Sequence, residues 1–406
     1  MSSRPSPRFI ALMALLTAST AFGIDMMLTS LPAIAAELSP EQPNHAHYVL
    51  TAFFVGVGVG TFVAGPLADG IGRRPVVLLG LGFYALGSVF AALTHDMTLL
   101  LVGRFLQGFG AAGPRVAVMA IVRDRFEGRY MAQAVSFITM VFTLVPGVAP
   151  LLGDVISRAF GWRAVFWAFG VFALTVGTWF TLQQPETLPR SARRPLALRD
   201  IGREARRVLS YRIVLQAIIV LSLALAILIA VLSSSQAVFH QVFDLERAFP
   251  YVLGANSVLA GCFSFANARL VIRFGPVTLI QWALRANLAL AAALVIAQWW
   301  LPPNGASTVI VFSIWMLLPF AVLGLTAGNL TAMALQPLGA IAGTATTVLT
   351  ASSMLLGGIF AVPISQNFDG TPWPLLYGAL LLLALAVAVS ETLRPDRDAE
   401  EKLAEG

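Results

Sequence analysis

Twelve apolar stretches, each about 20 residues or longer, leave this chain few ways to fold. They run approximately over 9–36, 47–68, 75–94, 99–122, 132–156, 162–182, 212–238, 248–272, 276–298, 308–329, 337–366 and 372–393. A helix needs about 20 apolar residues to cross a hydrocarbon layer of roughly 30 Å, whereas a membrane-spanning strand needs only about 10. Strands are therefore excluded by length, and the predicted fold class is an all-α membrane protein. Charged residues are 11% of the chain against 58% hydrophobic, and the mean hydropathy is +0.81, far from the roughly one-quarter charged content of soluble domains.

An even number of spans puts both termini on one side. Of the 26 Lys and Arg residues, 20 fall in or at the edges of segments on that side, Arg158, Arg163 and Arg247 fall on the other, and Arg104, Arg115 and Arg285 fall within spans. The excess of positive charge marks the cytoplasmic side, so both ends are expected in the cytoplasm. Loop arginines that fix topology and touch anionic lipid account for the net charge of +6, and no nucleic-acid partner is needed. Arg115 and Arg285 read as snorkelling or structural. Cys262, the sole cysteine, is read as core within span eight; it leaves no disulfide framework and no thiolate metal site. His45 and His47 do not make a metal site either, and no metal is expected. Ala33-Ile34-Ala35 after an apolar run imitates a signal-peptide cleavage site, but that run is too long, and an uncleaved first span is expected.

The longest polar interval, rich in arginine and proline (Arg190, Arg193, Arg194, Pro195, Arg199, Arg203, Arg206, Arg207), lies at mid-chain with six spans on each side. It divides the chain into a six-helix bundle over 1–182, a cytoplasmic linker over 183–211, a second bundle over 212–393 and a tail over 394–406. Leu67-Ala68-Asp69-Gly70-Ile71-Gly72 after span two is echoed by Leu270-Val271-Ile272-Arg273-Phe274-Gly275 after span eight, a faint internal repeat of the kind that related halves of transporters show.

Asp25 is the only carboxylate that these limits place well inside a span. An unpaired charge there costs several kcal/mol, and an intramembrane ionisable group is a functional-site hypothesis by default. With a rise of 1.5 Å per residue, Arg104 lies about 8 Å inside the face away from the termini and Asp25 about 6 Å. The two are therefore expected to meet. A contact would lower the burial cost of each, and a conformational change that parts them would let the carboxylate take a proton.

Gly65-Pro66-Leu67-Ala68-Asp69-Gly70-Ile71-Gly72-Arg73-Arg74-Pro75 resembles the signature between spans two and three of the major facilitator superfamily, with Gly70 where that family usually has a basic residue. The resemblance implies twelve transmembrane helices in two six-helix bundles, a monomer, and a loop in which Gly65, Asp69, Gly72, Arg73 and Arg74, together with Arg123-Asp124, latch the halves in the outward-facing state. Gly103-Arg104-Phe105-Leu106-Gln107-Gly108 is similar to the family's span-four signature, in which the arginine is implicated in proton transfer. Pro146, Gly147, Pro150 and Gly153 in span five resemble the signature of the superfamily's antiporters. Prolines and glycines there allow a kinked, tightly packed helix. Asp25-Met26-Met27-Leu28-Thr29-Ser30-Leu31-Pro32, with Thr29 where a proline is usual, is similar to the drug/proton antiporters of the bicyclomycin-resistance group.

What the resemblance implies is a proton-coupled exporter of small lipophilic, cationic or neutral compounds, similar to bicyclomycin or chloramphenicol in kind, with the proton gradient as energy source and no cofactor. Its cavity is expected between spans one, two, four and five and spans seven, eight, ten and eleven. Candidates for the lining are Met26, Met27, Phe53, Phe54, Met140, Phe142, Ser233 to Ser235, Gln236 and Asn256. A symporter importing a small metabolite and an exporter of an endogenous metabolite stay open at this point. A passive channel lacks a continuous polar lining, and an enzyme lacks a nucleophile and base pair or a phosphate-binding loop.

Overall fold

The computed structural model describes residues 5–193, 198–302 and 305–393. Arg4, Arg194, Pro195 and the tail 394–406 lie outside the described residues, as does the side chain of Arg199. Among the described residues, twelve helices are long and apolar enough to cross a membrane, at Pro7–Leu38, Pro43–Ile71, Arg73–Leu93, Met97–Arg125, Gly128–Phe160, Trp162–Gln183, Arg212–Val242, Glu246–Phe274, Pro276–Trp300, Ala306–Gly339, Ala342–Gln366 and Trp373–Ser390. They are called spans one to twelve. A thirteenth, amphipathic helix, Leu198–Leu209, lies in the linker. The face that carries the linker is called the linker face below.

The spans form two bundles of six. In the first, span four packs on spans two and three, span three on span six, and span one on span five; in the second, span seven packs on spans ten, eleven and twelve. Apolar side chains do not drive helices together inside lipid, where tails are equally apolar, so close backbone approach matters more. At the crossing of spans three and four, a Cβ on Gly110 would lie 2.3 Å from the Tyr84 nitrogen. Span two packs against span eleven and span five against span eight, and these pairs join the halves.

Span one is not one straight helix. It is α-helical over Pro7–Asp25, tightens to a 3₁₀ turn at Leu28–Ser30 and resumes at Leu31–Leu38. Pro32 explains the break, since it has no N–H for the Leu28 carbonyl and its ring crowds that carbonyl. Asp25 is left at the end of the first piece. Span ten is likewise divided, at Met316–Leu317 ahead of Pro319.

Two expectations need correction here. Span ten does not end near 329 but continues through Leu335 into a 3₁₀ turn, and span eleven starts at Ala342 rather than 337. Gly339, at φ +30°, takes the turn between them, a conformation open to glycine. Cys262 is exposed rather than core, because the stretch of span eight around it presents few side chains to its neighbours. Arg285 does behave as a structural group. It reaches Glu391 at the end of span twelve with both its Nε (2.7 Å) and its Nη2.

Candidate functional site

Asp25 sits where span one breaks. It is buried, and it has neither an ion pair nor a hydrogen bond among the described residues. The expected Asp25–Arg104 pair is not formed in this conformation. Arg104 is fully buried, and three acceptors occupy its guanidinium: Nη2 donates to the Gly23 carbonyl at 2.8 Å, Nε to the Val49 carbonyl at 3.2 Å, and Nη1 to Gln107 Oε1. The Phe53 ring lies 4.5 Å from its central carbon. Gln107 passes the chain on to Ser88 at 2.8 Å. Depth arithmetic puts Arg104 at the right level, against a residue two places from Asp25, but it does not see main-chain carbonyls, which satisfy a guanidinium without a charged partner.

Span five crosses this region at Gly153, where a Cβ would lie 1.9 Å from the Met26 carbonyl oxygen. One and a half turns earlier, Gly147 faces Gly254 of span eight across the bundle boundary. The helix with Pro146 and Pro150 thus touches both the Asp25 segment and the other half.

Beyond Asp25, away from the linker face, the halves are closed. Asn44 donates to the Gln366 carbonyl at 3.0 Å and the Phe368 carbonyl at 2.7 Å, Gln366 donates back to the Asn44 carbonyl at 2.8 Å, and Gln236 donates to the Thr29 carbonyl at 2.9 Å. Thr29 Oγ1, Ser30 Oγ, His47 Nδ1, Ser234 Oγ, Ser235 Oγ and Gln236 Oε1 are buried in the same closure without a protein partner, the environment in which ordered water is ordinarily found.

On the linker-face side a cavity of about 770 Å³ lies between the halves. Its walls are Thr17 of span one, Thr61 to Asp69 of span two, Arg115 to Arg123 of span four, Met131 to Phe142 of span five, Thr344 to Thr350 of span eleven, and Glu204 and Ala205 of the linker helix. Of the side chains expected to line it, Phe142 does. Met26, Met27, Phe53, Phe54, Met140, Gln236 and Asn256 do not. Met27 and Phe53 are wholly buried packing groups, Met140 is exposed on the other side of its helix, Gln236 is in the closure, and Asn256 is tied to the Ser313 carbonyl at 3.2 Å. Spans seven, eight and ten do not reach the cavity either; the second half contributes span eleven alone.

The loop after span two forms a charge cluster. Arg73 Nη1 donates to Asp69 at 2.5 Å and Nε to Asp124 at 3.3 Å, and Thr187 donates to Asp124 at 3.0 Å. Gly65 approaches Thr347 of span eleven. Arg123, expected within the latch, faces the cavity instead, and Arg74 holds the Thr181 carbonyl at 2.9 Å. Every partner of Arg73 belongs to the first half or the linker, so the cluster does not tie the two halves by an ion pair here.

Glu186 escaped the sequence reading. It follows span six in Pro185-Glu186-Thr187 and accepts from the backbone nitrogens of Arg73 (2.9 Å), Arg74 (3.1 Å), Thr187 (3.0 Å) and Leu188 (2.9 Å). Gly72, at φ +111°, turns the chain so that the Arg73 and Arg74 nitrogens reach it, and a Cβ there would lie 2.4 Å from its Oε2. An anion at the start of span three also suits the helix dipole. Burial pushes the Glu186 carboxyl up, but the backbone donors of Leu188, Arg73, Arg74 and Thr187 outweigh it and hold the group below the usual carboxylate range. A depressed carboxylate contributes stability above its unfolded value and loses it as pH falls through its folded value. Glu186→Gln is therefore expected to lower the melting temperature at pH 7 by an amount equivalent to about 1 kcal/mol. The gap to wild type should close as the pH is taken below about 4, in thermal melts followed by size-exclusion chromatography.

The sequence pattern of the Major Facilitator Superfamily matches residues 13–362. The chain is 30% identical over 259 residues to the multidrug resistance protein MdtL of Shigella flexneri serotype 5b (strain 8401), a match covering 64% of this chain and 65% of that relative's length. It is 29% identical over 388 residues to the bicyclomycin resistance protein homolog of Haemophilus influenzae, covering 93% and 94%. Among solved structures, a D-xylose-proton symporter superposes with a TM-score of 0.75 at 17% identity over 96% of this chain and 99% of that one. A peptide transporter in complex with sulfate gives 0.75 at 12% identity over 94% and 92%. At such identities the structures speak for the fold alone, while the sequence match spans most of the chain: this protein belongs to the Major Facilitator Superfamily.

Proposed function

We propose that the chain is a proton-coupled antiporter that exports small, mostly apolar compounds across a bacterial inner membrane by alternating access, with the linker face in the cytoplasm. One observation carries the reading: Asp25 is a carboxylate buried at a helix break, unpaired, between a closed outer face and an inner cavity. In this conformation a charge on Asp25 would have no cation among the described residues to offset it. Protonation from the outside in the opposite conformation, followed by closure, delivers a neutral group to the state described here. Arg104 then acts on Asp25 through the main chain, fixing Gly23 and hence the break, and not as its counter-ion in this state.

The resemblance of span five to antiporters and the drug-resistance names of the relatives in two bacteria support the direction of transport. The Arg73 cluster suits a latch in which the loop changes partners when the cavity closes. Coupling asks only that proton and cargo bind the two conformations unequally.

The test is release of protons from detergent-purified protein on addition of chloramphenicol, with wild type beside Asp25→Asn. Asparagine keeps the shape and loses no bond the structure shows, so folding should survive. Release from wild type and none from the variant supports antiport at Asp25. Equal release from both moves coupling to another carboxylate, and binding without release in either leaves an importer or uniporter.

A further inference from the structure

Span four carries a second arginine inside the membrane, and its surroundings differ from those of the first. Arg104 has three oxygen acceptors and a ring. Arg115, eleven residues and about 16 Å further along the same helix, faces the cavity; the one hydrogen bond it makes joins Nη1 to the Met354 sulfur at 3.1 Å. A thioether is a weak acceptor and carries no charge. No carboxylate lies within ion-pair distance of Arg115 among the described residues.

The other charges of the cavity are engaged elsewhere or stand further out. Asp69 is taken by Arg73, Glu204 accepts from Thr344 at 2.7 Å, and Arg123 lies two turns closer to the linker face. The side chain is not snorkelling to the surface, because its sulfur contact is on span eleven, across the gap between the halves. Thr346, Thr347 and Thr350 stand on that same helix, and Thr61 on span two. The hydroxyls of Thr61, Thr346 and Thr347 donate to their own helices, at 2.7, 2.8 and 3.2 Å. Such rotors can be re-aimed at an incoming acceptor. Much of the remaining wall is apolar, with Phe62, Val116, Met119, Val135, Ile138 and Phe142, and Thr17 and Thr139 stand among these side chains.

We propose that Arg115 is the acid-binding end of this cavity, which takes small, largely apolar compounds bearing one carboxylate or similar anionic oxygen group, with the guanidinium as counter-ion and the threonine hydroxyls beside it. The proposal rests on the reading of the cavity as the cargo site. A bound anion would supply the charged partner that the protein itself withholds. A permanent cation at this end would meet the Arg115 guanidinium with no carboxylate within ion-pair distance of it among the described residues, so of the classes implied by the sequence resemblance the cationic one fits this site least.

The experiment is equilibrium dialysis of detergent-purified protein, without a proton gradient, against nalidixic acid, its neutral methyl ester and tetraphenylphosphonium. Wild type, Arg115→Gln, Arg115→Lys and Asp25→Asn are compared. The acid is expected to bind wild type about tenfold more tightly than the ester, the gain of one charge-assisted contact. Arg115→Gln should erase that preference while leaving the ester within about threefold, and Arg115→Lys should keep part of it. Tetraphenylphosphonium should not displace the acid. Equal binding of acid and ester to wild type overturns the proposal, as does an Arg115→Gln variant that keeps the preference. Displacement of the acid by dioleoylphosphatidylglycerol added at low mole fraction would assign the site to a lipid headgroup and overturn it too. Retention of the preference in Asp25→Asn, with no proton release from either protein, would sink antiport and leave this site standing.

Discussion

Arg104→Leu should be the most damaging single substitution in the first bundle. It removes the donor for the Gly23 carbonyl, the Val49 carbonyl and Gln107 Oε1, all buried; Val49, inside the helix Tyr48–Ile71, keeps its own helical bond, whereas the other two acceptors are left without a partner at about 1–3 kcal/mol each. Spans one, two and four are joined at this point by one side chain, so a loss of at least about 2 kcal/mol is expected. It would be read as a lower melting temperature and poor recovery of folded protein. Arg104→Lys keeps the charge but not the fork that reaches three directions, and should fall between. A leucine variant that melts with wild type would show that the network is not structural.

Gly153→Ala should come next, although it adds a single methyl. The new carbon would sit 1.9 Å from the Met26 oxygen and 2.7 Å from the carbon bearing it, both main-chain atoms that cannot swing aside. Span five would have to back away from the break that presents Asp25. Overpacking of this kind costs about 1–3 kcal/mol, and transport should be lost more completely than stability, because the displaced segment is the one that carries the carboxylate. Gly328→Ala is the control: nothing lies within 4 Å of its added carbon, and alanine is the better helix former. Growth on chloramphenicol with each variant, beside melting curves of the purified proteins, separates the two cases. Similar behaviour of the two alanine variants would refute the close crossing at Gly153.

Much of the architecture was legible because membrane crossing is a length rule, and apolar length is written directly in the chain. The loop from Gly65 to Arg74 and the position of Asp25 were legible for related reasons: charge is scarce here, so each instance is conspicuous. What Arg104 binds was not legible, since its acceptors include carbonyls of the kind every residue owns. The lining was misjudged because methionine and phenylalanine were given weight as ligand contacts. In a chain with 27 Phe and 11 Met, most of them serve packing, as Met27 and Phe53 do. The better signal was a cluster of small and hydroxyl-bearing residues at the start of span eleven: Gly343, Thr344, Thr346, Thr347 and Thr350 all line the cavity. Glu186 could have been found by asking which acid serves the exposed nitrogens at the start of span three, since Gly72 at a span boundary announces a turn that needs an anion.

Among the described residues, the closure away from the linker face is fastened by four hydrogen bonds from amide side chains to carbonyls, made by Asn44, Gln366 and Gln236. At about 0.5–1.5 kcal/mol net apiece, their sum is about 2–6 kcal/mol. Inverting a two-state population from 1:99 to 99:1 takes about 5.5 kcal/mol. Under the antiport proposed above, a fastening of this strength is within reach of one proton and one cargo molecule together, and it bounds the cargo in return. A compound that favoured one conformation by much more than this sum would stall the cycle as an inhibitor, so good cargo for such a protein is cargo held loosely.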